Sequence, residues 1–377
     1  MSDEVLLFLP DLSGGGAERV MVQYGNWLVA QGQPTTLVLA NATGEYFAEI
    51  DPRLEVVDLA CRRGSFAVLP FFLLVQQRKP QAVLTTLTLT SWVAGVVHWF
   101  SPHRFRLVLR QANTFSIDSR VAQSWKARIK RQLAIWVNRS ADGHIAVSHG
   151  VAQDLAAETG VPVEQIRVVH NPVDIAAISR LALQPLPQLW PEADDAASFI
   201  VAVGRLAPQK DFATLLRAFA RVRQFVSCKL VILGQGPLHQ ELADLAKKLN
   251  IDTEVVFAGF VVNPFPWIRR ARVLVSSSRY EGFNNVLLQA LACGTAVVAT
   301  DCPHGARELL EDGQGGRLVP VGDAEKMAQA LLDTLRQPTP ASVLQAVAGR
   351  YVPDRQFLLY SRELQLPGAE RQGNPDG

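Results

Sequence analysis

Short apolar runs alternate with helix-length segments along most of this chain, and this alternation constrains its fold more than any other feature. Each run is apolar enough to be buried on both faces, as the strands of a parallel sheet are. The intervening segments have the length that a crossover between parallel strands needs. We therefore predict a parallel sheet wound with helices. Its seven strands are Val5–Leu9, Thr35–Ala40, Val56–Leu59, Ala82–Thr85, Arg106–Leu109, Gly143–Val147 and Ile166–Val169.

The alternation stops at Leu183–Asp195, where LQPLPQLWPEADD contains three prolines and three acids, a composition typical of a linker. It then restarts with Phe199–Val203, Leu230–Leu233, Val255–Phe257, Val273–Ser276, Val297–Thr300 and Leu318–Val319. Open α/β sheets bind ligands beyond the carboxyl ends of their strands, so two such sheets imply a cleft. The predicted fold class is α/β, with two doubly wound Rossmann-like domains facing across that cleft. They span residues 1–182 and 196–350, with a linker at 183–195 and a disordered tail at 367–377.

Composition excludes several classes of protein. Hydrophobic residues make up 48% of the chain and charged residues 19%, which is typical of a globular protein. The formal net charge of +2 gives no overall field that would attract nucleic acid, so we expect no nucleic-acid partner. The four cysteines form no CxxC pair, which excludes a disulfide framework or a zinc site and fits a reducing cytoplasm. They are Cys61, Cys228, Cys293 and Cys302.

The chain shows no sign of a membrane span. Its start, MSDE, is acidic where a signal peptide would be basic. No uninterrupted apolar run reaches the roughly 18 residues that a spanning helix needs. The nearest run, Phe66–Val75, is short and contains Pro70, so we predict a half-buried helix there. The expected location is cytoplasmic, either free or peripheral on the inner face of the membrane.

A glycine turn follows the first strand of the first domain. Gly14, Gly15 and Gly16 precede Ala17-Glu18-Arg19, which opens a helix. Successive glycines let the backbone approach a phosphate or a sugar, and the helix N-terminus favours an anion. The residues alone leave a tight-turn role and a ligand role equally open.

Two cations follow the first strand of the second domain, in VGRLAPQK. Arg205 and Lys210 lie at the carboxyl end of that strand, where a diphosphate would bind. The alternative is a pair of solvated surface charges. Glycines accompany both this strand and the next one, at Gly204 and, in LGQGP, at Gly234 and Gly236.

The segment EGFNNVLLQ places an acid at a turn and an amide eight positions later. Glu281 and Gln289 are just over two helical turns apart, so both can lie near one face if the helix starts by Asn284. Such a pair could hold two parts of one ligand at a helix N-terminus. Because no phosphate-binding P-loop, nucleophile elbow or metal motif is present, we expect no metal and no cofactor.

The ordered series GGGAERV, VSHG, HNPVD, VGRLAPQK, LGQGP and EGFNNVLLQALACGTAVVATDCPHGARELL resembles glycosyltransferase family 4, retaining enzymes of the GT-B fold. The resemblance covers nearly the whole chain, to about Leu364. The pattern around SRYEGF and TDCPHG is similar to members that transfer N-acetylhexosamines or related sugars onto lipid-linked oligosaccharides. The family implies a nucleotide-sugar donor on the second domain, a glycan or polyprenyl-linked glycan acceptor on the first, and a C-terminal helix, residues 351–366, that returns to the first domain.

The resemblance also implies roles for individual residues. Arg205 and Lys210 match the pair that neutralises the diphosphate, and Glu281 matches the acid that contacts hydroxyls of the donor sugar; these three are the expected catalytic residues. The further donor-binding residues are Gly14, Gly15, Gly16, Gly204, Gly234, Gly236, Gly282, Phe283, Asn284, Asn285, Val286 and Gln289. The acceptor-side residues are Arg110, Asn113 and Ser148.

Two departures from the family pattern affect these roles. The pattern is E-x7-E, and its second acid binds the ribose; Gln289 stands there, which loses the charge-assisted strength of a carboxylate, about 1 kcal/mol. Many relatives also place a histidine near Ala112, where this chain has Arg110, Gln111 and Asn113. Two other classes therefore remain open: a sugar-nucleotide epimerase of the same architecture, and a catalytically weakened scaffold that binds glycan.

The segment between Arg104 and Arg139 is strongly basic, with nine Lys/Arg and one acid, Asp118. Inside it an apolar stripe runs at helical spacing through Val121, Trp125, Ile129, Leu133 and Trp136. One interpretation is a core-packed helix with a solvated outer face. The other is a membrane-surface helix over residues 121–139 that is attracted by anionic lipid.

Overall fold

The computed structural model describes residues 3–13, 15–61, 64–116, 125–186 and 198–367. It divides into two compact units, one formed by Met1–Pro172 with Asp354–Gly377 and the other by Val173–Pro353. Each unit is built on one parallel sheet with helices packed against it. The prediction of two doubly wound, Rossmann-like domains is confirmed.

The first unit contains a seven-stranded sheet in the order β3-β2-β1-β4-β5-β6-β7. All neighbouring strands are parallel, and Val5 of β1 pairs with Thr35 on one side and Ala82 on the other. The order reverses between β1 and β4, which makes that edge a topological switch point. The strands are β1 (Val5–Leu9), β2 (Thr35–Leu39), β3 (Glu55–Asp58), β4 (Ala82–Thr86), β5 (Arg106–Gln111), β6 (Gly143–Ala146) and β7 (Ile166–Val168).

Helices cover both faces of this sheet. Because side chains alternate along a strand, Leu7 faces one apolar cluster and Phe8 faces the other. Phe8 stacks on Phe71 with ring centroids 4.2 Å apart. The helices up to the end of β7 are α1 (Gly16–Ala30), α2 (Val68–Arg78), α3 (Thr88–Phe100), α4 (Trp125–Ser140) and α5 (His149–Thr159).

The second unit contains a six-stranded parallel sheet in the order β10-β9-β8-β11-β12-β13, which reverses between β8 and β11. Its strands are β8 (Phe199–Val203), β9 (Lys229–Leu233), β10 (Val255–Gly259), β11 (Val273–Ser276), β12 (Val297–Thr300) and β13 (Arg317–Val319). Its helices are α6 (Ile175–Leu181), α7 (Phe212–Val222), α8 (His239–Lys248), α9 (Phe265–Arg270), α10 (Asn285–Cys293), α11 (Ala306–Leu309), α12 (Ala324–Arg336) and α13 (Ala341–Ala348).

Short 3₁₀ turns join several of these elements. They lie at Glu45–Glu49, Gly64–Ala67, Val163–Gln165, Pro208–Lys210, Glu311–Gly313 and Gly349–Tyr351. Among the described residues, none of the helices combines the length and the apolar character that crossing a bilayer requires. Helix α2 buries Phe71, Leu74 and Val75 and leaves Leu69 and Leu73 exposed, so it is half-buried as the sequence predicted.

The boundary between the units differs from the predicted one. Residues 173–182, which the sequence analysis placed in the first domain, belong to the second unit. Two hydrogen bonds join this segment to the second unit. The Val173 amide donates to the Tyr351 carbonyl at 2.7 Å, and Asn263 donates to the Leu181 carbonyl at 3.0 Å. Residues 187–195 of the predicted linker and 368–377 of the predicted tail lie outside the described residues.

The last helix, α14 (Pro353–Glu363), packs in the first unit. Phe357 and Tyr360 are fully buried, with ring centroids 5.3 and 5.1 Å from that of Tyr24. Trp27 Nε1 donates a hydrogen bond to Asp354 Oδ1 at 2.7 Å. The end of the chain therefore completes the core that the first strands begin.

Candidate functional site

Two loops meet at the carboxyl edge of the second unit's sheet, where the strand order reverses. The loop after β8 contains Lys210, and the loop after β11 contains Glu281. Backbone and side-chain hydrogen bonds join them: Ser277 Oγ donates to the Lys210 carbonyl at 2.6 Å, and the Arg279 amide donates to the Gln209 carbonyl at 2.8 Å. These contacts bring together two residues that lie 71 positions apart in the sequence.

The half-buried Lys210 and the buried Glu281 form an ion pair, with Nζ and Oε1 2.6 Å apart. Ser278, which is fully buried, donates to the same oxygen at 2.6 Å. Gln209 Nε2 reaches the other carboxylate oxygen at 3.4 Å and the Tyr280 carbonyl at 3.0 Å. Since three side chains fix the Glu281 carboxylate, its orientation is set before any substrate arrives.

Asp211 holds the loop that presents Lys210. Its φ is 43°, in the left-handed region, and its carboxylate caps α7 by accepting from the Thr214 amide and hydroxyl at 3.4 and 3.0 Å. Arg279 Nε also donates to this carboxylate, at 3.1 Å. Sequence reasoning missed Asp211, although an aspartate directly before an amphipathic helix is a recognisable N-cap signal.

The glycines at this edge allow two backbones to touch. A Cβ on Gly234 would lie 2.0 Å from the Gly204 carbonyl oxygen, and a Cβ on Gly236 would lie 2.4 Å from that of Leu206. Gly204 also donates to the Leu233 carbonyl at 2.9 Å. The glycines of the two loops are therefore required for close packing, whatever they do for a ligand.

Helix α10 begins at Asn285, directly after Asn284. This agrees with the predicted start that would let Glu281 and Gln289 lie near one face. Asn284 is its N-cap: its side chain accepts from the Leu287 amide at 3.3 Å and donates to Ser276 Oγ at 2.9 Å. The amides of Asn285 and Val286 lie in the first turn, at the positive end of the helix dipole. Gln289 is half-buried one turn further along.

The remaining predicted donor-side residues also lie at this edge. Arg205 is exposed directly after Gly204. Phe283 is buried, with its ring centroid 5.7 Å from that of Tyr351, and a Cβ on Gly305 would lie 3.0 Å from the Gly282 carbonyl oxygen.

Burial raises the pKa of the nearby Cys302 thiol to about 12, and the Glu281 carboxylate adds to this shift, so the thiol stays protonated. Among the described residues, no three His, Cys, Asp or Glu side chains form a group that could hold a metal.

The glycine turn of the first unit is covered by an acid. Gly14 lies outside the described residues, Gly15 is the N-cap of α1, and Gly16 begins the helix. A Cβ on Gly15 would lie 1.9 Å from Glu18 Oε2, so the Glu18 carboxylate folds back over the first turn. Burial raises the pKa of Glu18. The spacing of Gly15 and Glu18, an N-cap followed by Glu at the third helical position, is the signal that could have identified it.

The predicted acceptor-side residues have structural partners in the first unit. Arg110 is 1% exposed, and its guanidinium donates to Tyr360 Oη and Asn171 Oδ1, both at 2.6 Å, and to Thr86 Oγ1 at 3.3 Å. Arg110 therefore joins β5 to β4 and to α14, and its contact with an acceptor stays a prediction. Its burial follows from packing by Tyr360, which is 250 positions away in sequence.

Ser148 and Asn113 occupy different settings in the same unit. Ser148 is fully buried and caps α5, with its Oγ accepting from the Val151 amide at 3.2 Å. Asn113 is exposed, and its carbonyl accepts from Gln111 Nε2 at 2.8 Å.

The apolar stripe of α4 contacts the core only in part: Trp136 packs against the apolar cluster of the first unit, together with the buried Val137. Ile129 is 56% exposed, and Leu133 and Trp136 are half-buried. Val137 packs closely against Gly95 of α3. A Cβ added at Gly95 would lie only 2.6 Å from Val137 Cγ1. Val121 and the side chain of Trp125 lie outside the described residues.

Comparison with known proteins agrees with this architecture. Residues 14–177 match the family described as Glycosyltransferase Family 4, and residues 197–337 match Glycosyl transferases group 1. The N-acetylgalactosamine-N,N'-diacetylbacillosaminyl-diphospho-undecaprenol 4-alpha-N-acetylgalactosaminyltransferase of Campylobacter jejuni is 31% identical over 336 residues, which cover 86% of this chain and 88% of that protein. The lipopolysaccharide 1,6-galactosyltransferase of Escherichia coli is 30% identical over 191 residues, covering 48% of this chain and 49% of that protein.

Solved structures show the same fold. The apo form of the lipopolysaccharide outer core galactosyltransferase WaaB gives a TM-score of 0.72 at 18% identity, covering 96% of this chain and 99% of that one. HepE from Anabaena in complex with UDP gives a TM-score of 0.76 at 21% identity, with the same coverage. These likenesses show that the two Rossmann-like units have the GT-B fold. The chain belongs to glycosyltransferase family 4, as its motifs predicted.

Proposed function

We propose that this glycosyltransferase takes a sugar from a nucleoside-diphosphate donor bound at the carboxyl edge of the second unit's sheet. The observation that carries the proposal is the Lys210–Glu281 ion pair, which lies at the point where the strand order reverses. Open α/β sheets bind their ligands at such points. Arg205 on the same loop adds a second, exposed cation.

The two charged groups suit opposite ends of the donor. An ammonium group has three hydrogen-bond donors, so Lys210 can keep its bond to Glu281 and still donate to diphosphate oxygens. A carboxylate has about four acceptor positions, so Glu281 can also accept hydroxyl groups of the sugar. In this arrangement Lys210 and Arg205 stabilise the charge that develops on the diphosphate as the sugar leaves.

The proposed reaction is retaining and independent of metal. The bond between the anomeric carbon and the diphosphate oxygen breaks, and a bond from that carbon to the acceptor hydroxyl oxygen forms on the same face. The acceptor proton passes to the departing diphosphate. Arg205 and Lys210 support metal independence, because two cations at the diphosphate supply charge that a divalent ion would otherwise supply.

The relatives suggest the class of acceptor. The Campylobacter jejuni relative is named for a sugar acceptor on diphospho-undecaprenol, and the Escherichia coli relative for lipopolysaccharide. We propose that this chain adds an N-acetylhexosamine or a hexose to a glycan carried on a lipid diphosphate, in cell-surface polysaccharide or glycolipid synthesis. The location is then the cytoplasmic face of a membrane, with the basic segment 121–139 attracted to anionic lipid.

The decisive experiment offers the protein a panel of nucleotide sugars with a lipid-diphosphate-linked acceptor, with and without a chelator. We expect one donor to be transferred at an undiminished rate in the chelator, and the product to keep the anomeric configuration of the donor. A chelator-sensitive rate would contradict the metal-independent mechanism, and an inverted product would contradict retention. Interconversion of the donor without an acceptor would identify an epimerase, and binding without turnover would identify a scaffold.

A further inference from the structure

Three helices form one layer on a face of the first unit's sheet. Helix α3 lies in the middle, in contact with α2 on one side and α4 on the other. Their inward residues build one apolar cluster with the sheet, which includes Phe71 of α2, Val93 and Val97 of α3, and Val137 of α4. The opposite side of this layer faces solvent.

An apolar stripe of α3 reaches solvent along one flank of the helix. Leu89, Trp92, Val96 and Trp99 recur at helical spacing beside the core residues Val93 and Val97. Leu89 and Trp99 are exposed, Val96 is half-buried, and Trp92 is half-buried against the core cluster. Trp99 is 59% exposed, and the adjacent Phe100 is 70% exposed. The helix contains no Asp, Glu, Lys or Arg.

Helix α2 extends this stripe sideways. Leu69 and Leu73 are 65% and 58% exposed, and Phe66, in the 3₁₀ turn that contacts α3, is also exposed. We call the resulting surface the outer apolar face; it consists of the exposed residues Phe66, Leu69, Leu73, Leu89, Trp99 and Phe100. Large exposed apolar surfaces of this kind mark sites of interaction with another molecule.

The segments that form this layer carry charge of one sign. From Gly64 to Ser116 the sequence contains no Asp or Glu, and neither does α4. Acids from other elements that reach these helices are paired with them, as Glu55 is with Arg78 and Asp142 with His98. The exposed cations of these segments are Lys79, Arg104, Arg128 and Lys130. A second copy of the chain docked on this face would bring these cations against their own kind, which disfavours self-association. A bilayer offers acyl chains to the apolar residues and anionic headgroups to the cations.

We infer that the outer apolar face of α2 and α3 inserts into the boundary between headgroups and acyl chains of an anionic bilayer. Tryptophan and phenylalanine suit that depth, and the bordering cations reach the headgroups. This deepens the membrane part of the proposed function, on which it rests for the lipid-linked acceptor. It assigns the apolar part of binding to α2 and α3 and leaves charge attraction to α4, so binding should persist in part when salt screens the charges.

A matched pair of double variants tests the assignment. Leu69→Ser with Phe100→Ser removes one leucine and one phenylalanine, 65% and 70% exposed, from the outer apolar face. Leu183→Ser with Phe225→Ser removes the same two residue types, 69% and 68% exposed, from the second unit. All four positions are exposed, so both variants should fold, which melting temperature checks.

The full chain is sedimented with vesicles of phosphatidylcholine mixed with phosphatidylglycerol, at low and at high salt. We expect the wild type and the Leu183/Phe225 variant to bind at both salt concentrations, and the Leu69/Phe100 variant to bind at least about tenfold more weakly. An Arg128→Ser/Lys130→Ser variant should lose only the salt-sensitive part. Equal binding by the wild type and the Leu69/Phe100 variant, or no binding by the wild type, overturns the inference. A wild-type dimer that the same variant converts into monomers assigns the face to self-association and also overturns it.

A second measurement separates this inference from the proposed function. With an acceptor analogue whose lipid chain is short enough to be water-soluble, the Leu69/Phe100 variant should transfer sugar with the wild-type kcat/KM. Loss of that activity in a folded variant would mean that the face serves the reaction itself, against the inference. If the wild type transfers nothing to any acceptor, the proposed function fails, while the vesicle result still decides what the face binds.

Discussion

The carboxyl edges of the two sheets carry polar residues in different ways. At the second unit's edge, Lys210 and Glu281 pair with each other on two loops that are hydrogen-bonded together. At the first unit's edge, Arg110 is buried under α14, and Glu18 covers its own helix terminus. One edge presents its charges as a preorganised group, whereas the other uses them to hold the fold together.

This difference shows which functional residues can be predicted from sequence motifs. Lys210 and Glu281 lie on the loops after β8 and β11, which meet at the switch point, so their sequence position predicts their place. A charged residue within a strand, such as Arg110 at the end of β5, can equally be drawn into the interior by a helix from elsewhere in the chain. The following predictions test whether the contrast between the two edges holds.

The largest effect is expected at the diphosphate. Lys210→Ala, and separately Arg205→Ala, should lower kcat by on the order of 100-fold or more, because each removes a charge that stabilises the leaving diphosphate. The control Lys248→Ala removes an exposed lysine from the end of α8 and should leave kcat unchanged. Near-wild-type turnover in both site variants would mean that this edge does not bind the diphosphate.

The next effect concerns the first unit. Arg110→Ala should lower the free energy of unfolding by about 2 to 3 kcal/mol, since it removes the buried hydrogen bonds to Tyr360 Oη and Asn171 Oδ1. The exposed Arg104→Ala should change it by less than about 0.5 kcal/mol. Chemical denaturation measures both. If Arg110→Ala keeps wild-type stability and instead raises the KM of the acceptor, Arg110 serves the acceptor rather than the fold.

Glu281→Gln should lower kcat by about 30-fold while leaving the donor KM within a small factor. In the proposed function the carboxylate contacts the sugar most strongly as charge develops on the ring, so we expect its loss to raise the energy of the transition state. Glu241→Gln, on the exposed face of α8, is the matched control. A change confined to the donor KM would move Glu281 from catalysis to simple binding.

Sequence reasoning recovered all thirteen strands because each is a short apolar run between helix-length segments. It missed Asp211 and Glu18, although both carry local helix-capping signals, and it missed Ser278, whose role comes from a contact that appears only when the loops are folded. Ser278 and Lys210 both donate to Glu281 because β8 and β11 are neighbouring strands. That adjacency follows from the reversal of strand order. It also assigned residues 173–182 to the first domain, because the strand pattern alone did not show that Val173 pairs with Tyr351.

The smallest effect is expected at Gln289, and it tests how finely the second unit's edge recognises the nucleotide. Asn284 caps α10 and fixes its start, so Gln289 lies about one turn beyond the first-turn amides, where the ribose is expected. Gln289→Ala should raise the donor KM by about fivefold with kcat unchanged, the result of losing an interaction present equally in the ground and transition states. Gln329→Ala, at an exposed glutamine of α12, is the control.

Gln289→Glu gives the sharper result, because it restores the acid that the family pattern carries at this position. A carboxylate accepts ribose hydroxyls more strongly than an amide does, so donor binding should tighten by up to about 1 kcal/mol, or about fivefold in affinity. Titration of the nucleotide alone, without sugar or acceptor, measures this directly, because the ribose contact does not depend on turnover. Weaker binding of the Gln289→Glu variant would show that the amide is adapted to this chain's own donor.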